Sequence, residues 1–233
     1  MKYLRLDHPC RGVLRVLLDR PDRRNALNLA MVEEMREAIA GCSEPILMLS
    51  STDGRAFCAG GDLSLAPENL RAVSVCLYSL YLTMLRLPSV IVTCAQGSAI
   101  GAGAQLLLAS DLRVGTTRTS ISFAGAATGL ALGTWGLPGL VGTGRAMELS
   151  LSGRTVGGEE ALAIGLLNTL ADDPEAEALR ICGDLAASPP SIVQGVKHLV
   201  RMPTRNLEDR LRAEADLNVG EVHVAAGSRS TRR

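Results

Sequence analysis

Three short apolar runs in the first half of the chain predict β-strands. They cover residues 13–18, 46–50 and 90–94. The first ends at a turn formed by Arg20, Pro21 and Asp22, and the second and third contain almost no polar residue. A continuous apolar run of this length is typical of a strand that is buried on both faces of a sheet. The pattern therefore favours a sheet with helices packed on both sides.

Helical spacing fills the segments between these runs. Apolar residues recur at positions 29, 32, 35 and 39, Asn28 precedes them as a helix cap, and Gly41 follows as a stop. A longer helical pattern covers about residues 68–87 and is closed by Pro88. Strand–helix alternation of this kind predicts an α/β core.

The second half of the chain begins with another helix and becomes mainly helical. We predict a helix that ends at Ala109, brief strands at residues 112–114 and 121–123, and helices from about Gly144 onward. Ser188, Pro189 and Pro190 separate two amphipathic segments. We divide the chain into a core at residues 1–188 and a C-terminal helical segment with a basic tail at residues 189–233.

Composition and charge exclude several classes of protein. The 233 residues are 47% hydrophobic and only 3% aromatic, and 24 basic residues balance 24 acidic ones. This favours a globular protein that binds no nucleic acid. No segment has the length and hydrophobicity of a membrane span, and the six cysteines are scattered without metal-binding spacing. We expect a cytoplasmic protein with reduced cysteines, no metal site and no membrane insertion.

Two glycine turns carry the candidate chemistry. Gly60 and Gly61 follow Phe57 and Cys58, and the second turn runs through residues 99–105, with glycine at 101 and 103. Each turn leaves a strand and enters a helix, so each can aim a backbone N–H outward. Two such donors that converge would form an oxyanion hole for a carbonyl oxygen. The alternative is that the glycines only permit tight turns and helix–sheet packing.

The residues around these turns resemble the enoyl-CoA hydratase/isomerase, or crotonase, superfamily. The matching motifs occur in the family's order over about residues 12–200: Leu18-Asp19-Arg20-Pro21, Arg24-Asn25-Ala26-Leu27, Phe57-Cys58-Ala59-Gly60-Gly61-Asp62-Leu63, residues 97–106, Ser110-Asp111-Leu112-Arg113, Leu151-Ser152-Gly153-Arg154, and Ala161 with Gly165-Leu166-Leu167. The resemblance implies a spiral of ββα units and C-terminal helices that form a homotrimer or a dimer of trimers.

The resemblance also implies an acyl-CoA thioester as the ligand, with coenzyme A as part of that ligand and no tightly bound cofactor. The oxyanion-hole amides would belong to Gly61 and Ala102. The pantetheine and nucleotide path would be lined by Arg24, Ala26, Ala59, Gly60, Gly61, Asp62, Leu63 and Ala102. Arg23 and Arg24 suit phosphate groups by their charge, and a solvated arginine pair in a turn is the alternative.

The chain departs from the family at the two positions where hydratases carry catalytic glutamates. The first position is Gln105, and ungapped counting places the second at Gly125, with Ala126, Ala127 or Thr128 in shifted registers. Residues 112–147 contain no aspartate, glutamate or histidine. An amide neither gives nor takes a proton near neutral pH, so the usual acid–base pair is missing.

These observations leave three functions open and do not decide whether the chain is an enzyme. The first is a hydratase/isomerase-like protein that binds acyl-CoA but hydrates poorly. The second is a non-catalytic acyl-CoA carrier or accessory subunit, and the third is a decarboxylase of malonyl-type thioesters, which depends chiefly on the oxyanion hole.

Several single residues receive plainer expectations. We expect Asp62 to cap a helix, Asp111 to be structural, and His8, His198 and His223 to lie at the surface or in helix packing. Trp135 is either the floor of an acyl pocket or ordinary core.

Overall fold

The computed structural model describes residues 1–64, 67–126 and 129–201, together with Arg212. Ala127, Thr128, His223 and the basic tail from residue 226 onward lie outside the described residues.

The described chain contains ten strands, seven α-helices and one short 3-10 helix at Pro21–Arg23. The strands are β1 (Leu4–Asp7), β2 (Val13–Leu18), β3 (Ile46–Ser51), β4 (Ala56–Cys58), β5 (Val90–Cys94), β6 (Ser98–Ile100), β7 (Leu112–Gly115), β8 (Ser120–Ser122), β9 (Val156–Gly157) and β10 (Thr169–Leu170). The helices are α1 (Leu29–Ala40), α2 (Pro67–Arg86), α3 (Ala102–Ala109), α4 (Leu137–Ser152), α5 (Gly158–Ala163), α6 (Pro174–Ala186) and α7 (Pro190–Arg201).

The strands form two sheets. The larger has the order β1-β2-β3-β5-β7-β10, and all its pairs are parallel except β1 with β2. The smaller has the order β4-β6-β8-β9, in which only β8 and β9 are antiparallel. The chain visits the larger sheet, the smaller sheet and a helix three times, as β3-β4-α2, β5-β6-α3 and β7-β8-α4. This repetition confirms the predicted spiral of ββα units.

The larger sheet is buried on both faces. Leu47 and Leu49 of β3 belong to the main core, whereas Ile46 and Met48 belong to a second cluster that includes Cys182 of α6. Alternate side chains of a strand point to opposite faces, so a strand covered on both sides needs apolar residues at every position. This confirms the prediction that the apolar run at residues 46–50, which ends at Ser50, forms a strand buried on both faces.

The helix boundaries agree with the sequence except at α4. Asn28 Oδ1 accepts a hydrogen bond from Met31 N at 2.9 Å, so it caps α1 as predicted, and Gly41 ends that helix. The α4 helix begins at Leu137 rather than near Gly144. Gly142 has a non-helical φ of 76°, which kinks α4 and explains why its first turns carry no regular helical pattern.

Asp111 anchors α7, and its predicted structural role is confirmed. Its Oδ2 accepts from the Ile91 backbone N–H at 2.8 Å and lies 2.8 Å from Lys197 Nζ, and its Oδ1 lies 2.7 Å from Arg201 Nη2. The division at residue 189 stays a prediction. None of the described helices combines the length and hydrophobicity needed to cross a membrane.

Candidate functional site

Backbone hydrogen bonds join the first glycine turn, residues 59–62, to residues 24–27. Ala59 N donates to Arg24 O at 3.0 Å, Leu27 N to Gly60 O at 2.7 Å, and Asp62 N to Leu27 O at 2.9 Å. These three bonds hold Arg24 and Ala26 beside residues 59–62. The structure thus brings together two segments that the sequence assigned to the same ligand path.

Asn25 and Arg20 fasten this pair of segments. Asn25 is buried with φ 55°, and its Nδ2 donates to the carbonyls of Ala56 and Phe57, both at 3.1 Å. Arg20 Nη1 donates to Ala26 O at 2.7 Å and to Asp62 Oδ2 at 2.8 Å. Both residues lie in the motifs that carry the family resemblance, but neither is among the predicted site residues. A left-handed asparagine is a recognisable signal only once the backbone is known.

The expectation that Asp62 caps a helix is wrong. It lies ahead of α2, which begins at Pro67. Its Oδ1 accepts from Ser64 Oγ at 2.6 Å and Ser64 N at 3.1 Å, and its Oδ2 pairs with Arg20. The Ser64 hydrogen bond and, next, Arg20 hold the pKa of this carboxyl below its usual value. Asp62 is therefore a carboxylate whose two oxygens stabilise the turn through Ser64 and Arg20.

Three of the glycines in these turns differ in what they do. A Cβ on Gly103 would lie 2.2 Å from Cys58 O, and one on Gly60, where φ is 97°, would lie 2.8 Å from Ile100 O. Both glycines are required by close backbone packing. A Cβ on Gly61 would meet nothing within 4 Å. The packing explanation thus accounts for Gly60 and Gly103, whereas Gly61 borders open space.

Two backbone amides without partners lie at this junction. A Cβ on Gly60 would be 3.6 Å from Ala102 N, so the two turns are adjacent. Within the described chain, the N–H groups of Gly61 and Ala102 have no hydrogen-bond partner. Buried backbone donors are nearly always satisfied, and Ala102, the first residue of α3, is 8% exposed. Ala102 N lies at the start of α3, where the positive end of the helix dipole favours an acceptor.

The side chains of Gln105 and Trp135 are joined by a hydrogen bond. The sequence did not predict this contact. Gln105 is 2% exposed, and its Oε1 accepts from Trp135 Nε1 at 2.8 Å and from Gly133 N at 3.4 Å. Trp135 is fully buried and stacks on Tyr81 with ring centroids 6.0 Å apart. Tyr81 Oη in turn donates to Ala102 O at 3.1 Å. The indole is thus core packing that also holds the residue at position 105.

Position 125 has no room for a side chain. A Cβ on Gly125 would lie 2.5 Å from Leu130 O and 2.9 Å from Leu132 Cγ. Leu130 N also donates to Gly125 O at 2.8 Å, which closes a tight turn. Leu132 reaches across to α3, because a Cβ on Gly101 would lie 3.8 Å from its Cδ1. This loop therefore packs against the start of α3.

The remaining candidates lie at the surface. Arg23, Arg24 and Leu63 are exposed, Leu63 to 77%. The predicted surface positions of His8 and His198 are confirmed, and His8 Nδ1 lies 3.8 Å from a Glu44 oxygen. Over the described ranges, no three histidine, cysteine or acidic side chains cluster as metal ligands would.

Comparison with known proteins gives a consistent result. The sequence model of the family described as enoyl-CoA hydratase/isomerase matches residues 10–230. The chain is 36% identical over 194 residues to the protein named probable enoyl-CoA hydratase echA6 of Mycobacterium bovis, covering 81% of this chain and 79% of that protein. It is similar to the crystal structure of enoyl-CoA hydratase from Bacillus anthracis, with 27% identity, a TM-score of 0.81, and coverage of 95% and 91% of the two chains. An enoyl-CoA hydratase from Mycobacterium avium subsp. paratuberculosis shares the fold at 22% identity, with a TM-score of 0.87 and coverage of 97% and 98%.

Proposed function

Since the chain belongs to the enoyl-CoA hydratase/isomerase family, we propose that it binds an acyl-CoA thioester. The thioester carbonyl oxygen accepts from the N–H groups of Gly61 and Ala102. The observation that carries this proposal is the pair of unpartnered amides at two adjacent turns. Coenzyme A enters as part of the ligand, along Arg24, Ala26 and residues 59–63, and no further cofactor takes part.

Binding through the carbonyl can be tested with a matched pair of ligands. Calorimetry would compare butyryl-CoA with the thioether in which a methylene group replaces its thioester carbonyl. Two net hydrogen bonds are worth about 1–3 kcal/mol together, so the thioether should bind about 5- to 150-fold more weakly. Equal affinities would contradict the oxyanion hole, and failure of both ligands to bind would contradict acyl-CoA binding itself.

We propose further that ordinary hydration is lost. Hydration needs a group that takes a proton from water and one that delivers a proton to the substrate. Gln105 cannot supply either, Gly125 lies where a side chain would clash, and Asp62 is engaged by Ser64 and Arg20. Each acid–base group typically contributes about 100- to 10,000-fold. Crotonyl-CoA hydration by the purified protein should therefore be undetectable, and robust turnover would refute this proposal.

A non-catalytic carrier or accessory subunit is the second candidate, and the same replacements at positions 105 and 125 favour it. A carrier releases its ligand unchanged, so mass spectrometry of bound and released thioesters would separate it from an enzyme. A malonyl-type decarboxylase would instead convert malonyl-CoA to acetyl-CoA, because the oxyanion hole alone can stabilise the enolate. The same measurement detects that conversion.

We propose a cytoplasmic homotrimer or dimer of trimers that associates through the C-terminal helical region. Ile192, Val196 and Val200 are exposed at four-residue spacing along α7, which places them on one helix face. Sedimentation analysis should give a trimer or hexamer for the wild type and smaller species for Val196→Glu. A monomeric wild type would contradict this assembly.

A further inference from the structure

We infer that the side-chain amide of Gln105 donates a hydrogen bond to the acyl group of the ligand, and that the site therefore favours a 3-oxoacyl thioester. This inference rests on the proposed binding of acyl-CoA. Gln105 would then determine ligand specificity at the position where hydratases of the family carry a catalytic glutamate.

The contacts of Gln105 fix which way its amide faces. Its two neighbours, Trp135 Nε1 and the Gly133 backbone N–H, can only donate. An amide turned the other way would place its own N–H groups against these donors. The carbonyl oxygen must therefore face Trp135 and Gly133, and the Nε2 group must face away from them.

The Nε2 group is a buried donor that awaits an acceptor. Among the described residues it has no hydrogen-bond partner, although the residue is 98% buried. The fully enclosed side-chain atoms without partners in this part of the chain are Ser50 Oγ and Asp53 Oδ2. Since Nε2 is not one of them, it borders an opening. A ligand acceptor that enters the opening can replace water as the partner of Nε2, with the modest net gain of one neutral hydrogen bond.

The Gln105 side chain starts one helical turn from the proposed carbonyl site at Ala102. Gln105 follows Ala102 by one helical turn, so the two share a face of α3, and helix side chains lean toward the N-terminus. Leu132 lies beside Gly101 at the start of α3, and Gly133 N bonds to the Gln105 carbonyl oxygen on the side away from Nε2. A ligand whose thioester oxygen binds at Ala102 N thus passes its next carbons beside Gln105.

The surroundings select the kind of acceptor. All eight residues of α3 are uncharged, and the contacts of Gln105 are neutral. A carboxylate would lose its hydration here without gaining a cation. A hydroxyl would accept from Nε2 but leave its own O–H to be satisfied, whereas a carbonyl oxygen only accepts. A 3-oxo group is the neutral, acceptor-only oxygen that fits.

The test compares three four-carbon ligands on the full-length wild-type protein by calorimetry. Acetoacetyl-CoA should bind about fivefold more tightly than butyryl-CoA, the gain expected of one neutral hydrogen bond, and 3-hydroxybutyryl-CoA should fall between them. Butyryl-CoA binding as tightly as acetoacetyl-CoA would overturn the inference while acyl-CoA binding stands. Failure of every thioester to bind would instead overturn the proposed function.

A variant assigns the effect to position 105. Gln105→Met keeps a similar side-chain volume without a donor, so acetoacetyl-CoA and butyryl-CoA should bind it with equal affinity. Because the readout is a ratio of two ligands on one protein, a general loss of affinity cancels. A preference that persists in this variant would assign it to another group. The wild-type ratio decides the inference even if the variant does not fold.

Discussion

Replacing Gly103 by alanine has two opposite effects on stability: a gain in helix propensity and a steric clash of the added Cβ. Gly103 lies inside α3, where alanine is favoured over glycine by about 1 kcal/mol. Helix propensity alone therefore predicts a more stable protein. However, the added Cβ would lie 2.2 Å from Cys58 O and 2.8 Å from Cys58 Cβ.

The steric effect should win. The neighbouring atom is a backbone oxygen of β4, which cannot rotate away as a flexible side chain could. Overpacking a close contact costs typically about 1–3 kcal/mol, and we take about 3 kcal/mol because backbone must move. After the helix gain of about 1 kcal/mol, Gly103→Ala should lower the free energy of unfolding by about 2 kcal/mol.

Urea denaturation followed by circular dichroism measures this difference. Gly61→Ala is the matched control, because its Cβ would meet nothing within 4 Å and the chemical change is the same. We expect the control to keep the wild-type stability within about 1 kcal/mol, while its methyl group enters the ligand space and weakens thioester binding. A Gly103→Ala protein as stable as the control would refute the close packing of α3 against β4.

Three further predictions concern charge and burial. Asp111→Ala removes the carboxylate beside the buried ammonium of Lys197, which keeps its hydrogen bond to Ser89 O. The variant should lose about 3 kcal/mol of stability in urea denaturation, and a loss below about 1 kcal/mol would argue against the anchoring of α7. The folded-state pKa of Asp62 lies below the ordinary value of 3.8, so the stability that this carboxylate contributes is complete above that pH and is lost as the pH falls through the lowered pKa. Asp62→Asn should therefore lose stability less steeply in acid unfolding, and an unchanged acid profile would contradict this. Burial raises the pKa of the Cys58 thiol to about 12, so this thiol should react with maleimide only after unfolding. Peptide mapping should find the exposed Cys10 labelled first, and the reverse order would contradict the fold.

The sequence predicted the long elements because their pattern is carried by many residues. The run at residues 46–50 and the helix behind Asn28 each contain enough apolar positions to define a period. Strands β4, β6, β9 and β10 have two or three residues each, which is too short for any period to be visible. Sequence patterns thus indicated the helices, the central strands and β8, but not the other strands of the second sheet.

The candidate site was predictable only in part, for a related reason. Residues 24–27 and 59–62 were assigned to one path through their motifs, and their backbone bonds confirm that they lie together. The contact between Gln105 and Trp135 joins positions 30 apart, through a loop with no regular period. No local spacing could reveal it. The role of Asp62 was also misjudged, because Arg20 approaches it from a distant turn.

The single tryptophan of the chain gives the protein a built-in optical probe. Trp135 is fully enclosed, and its indole N–H is bonded to the side chain that we place against the ligand. Its emission therefore arises from one point in the molecule, next to the side chain that we propose contacts the acyl group. If the proposed acyl site is right, we expect ligand binding to change the fluorescence of the unlabelled protein.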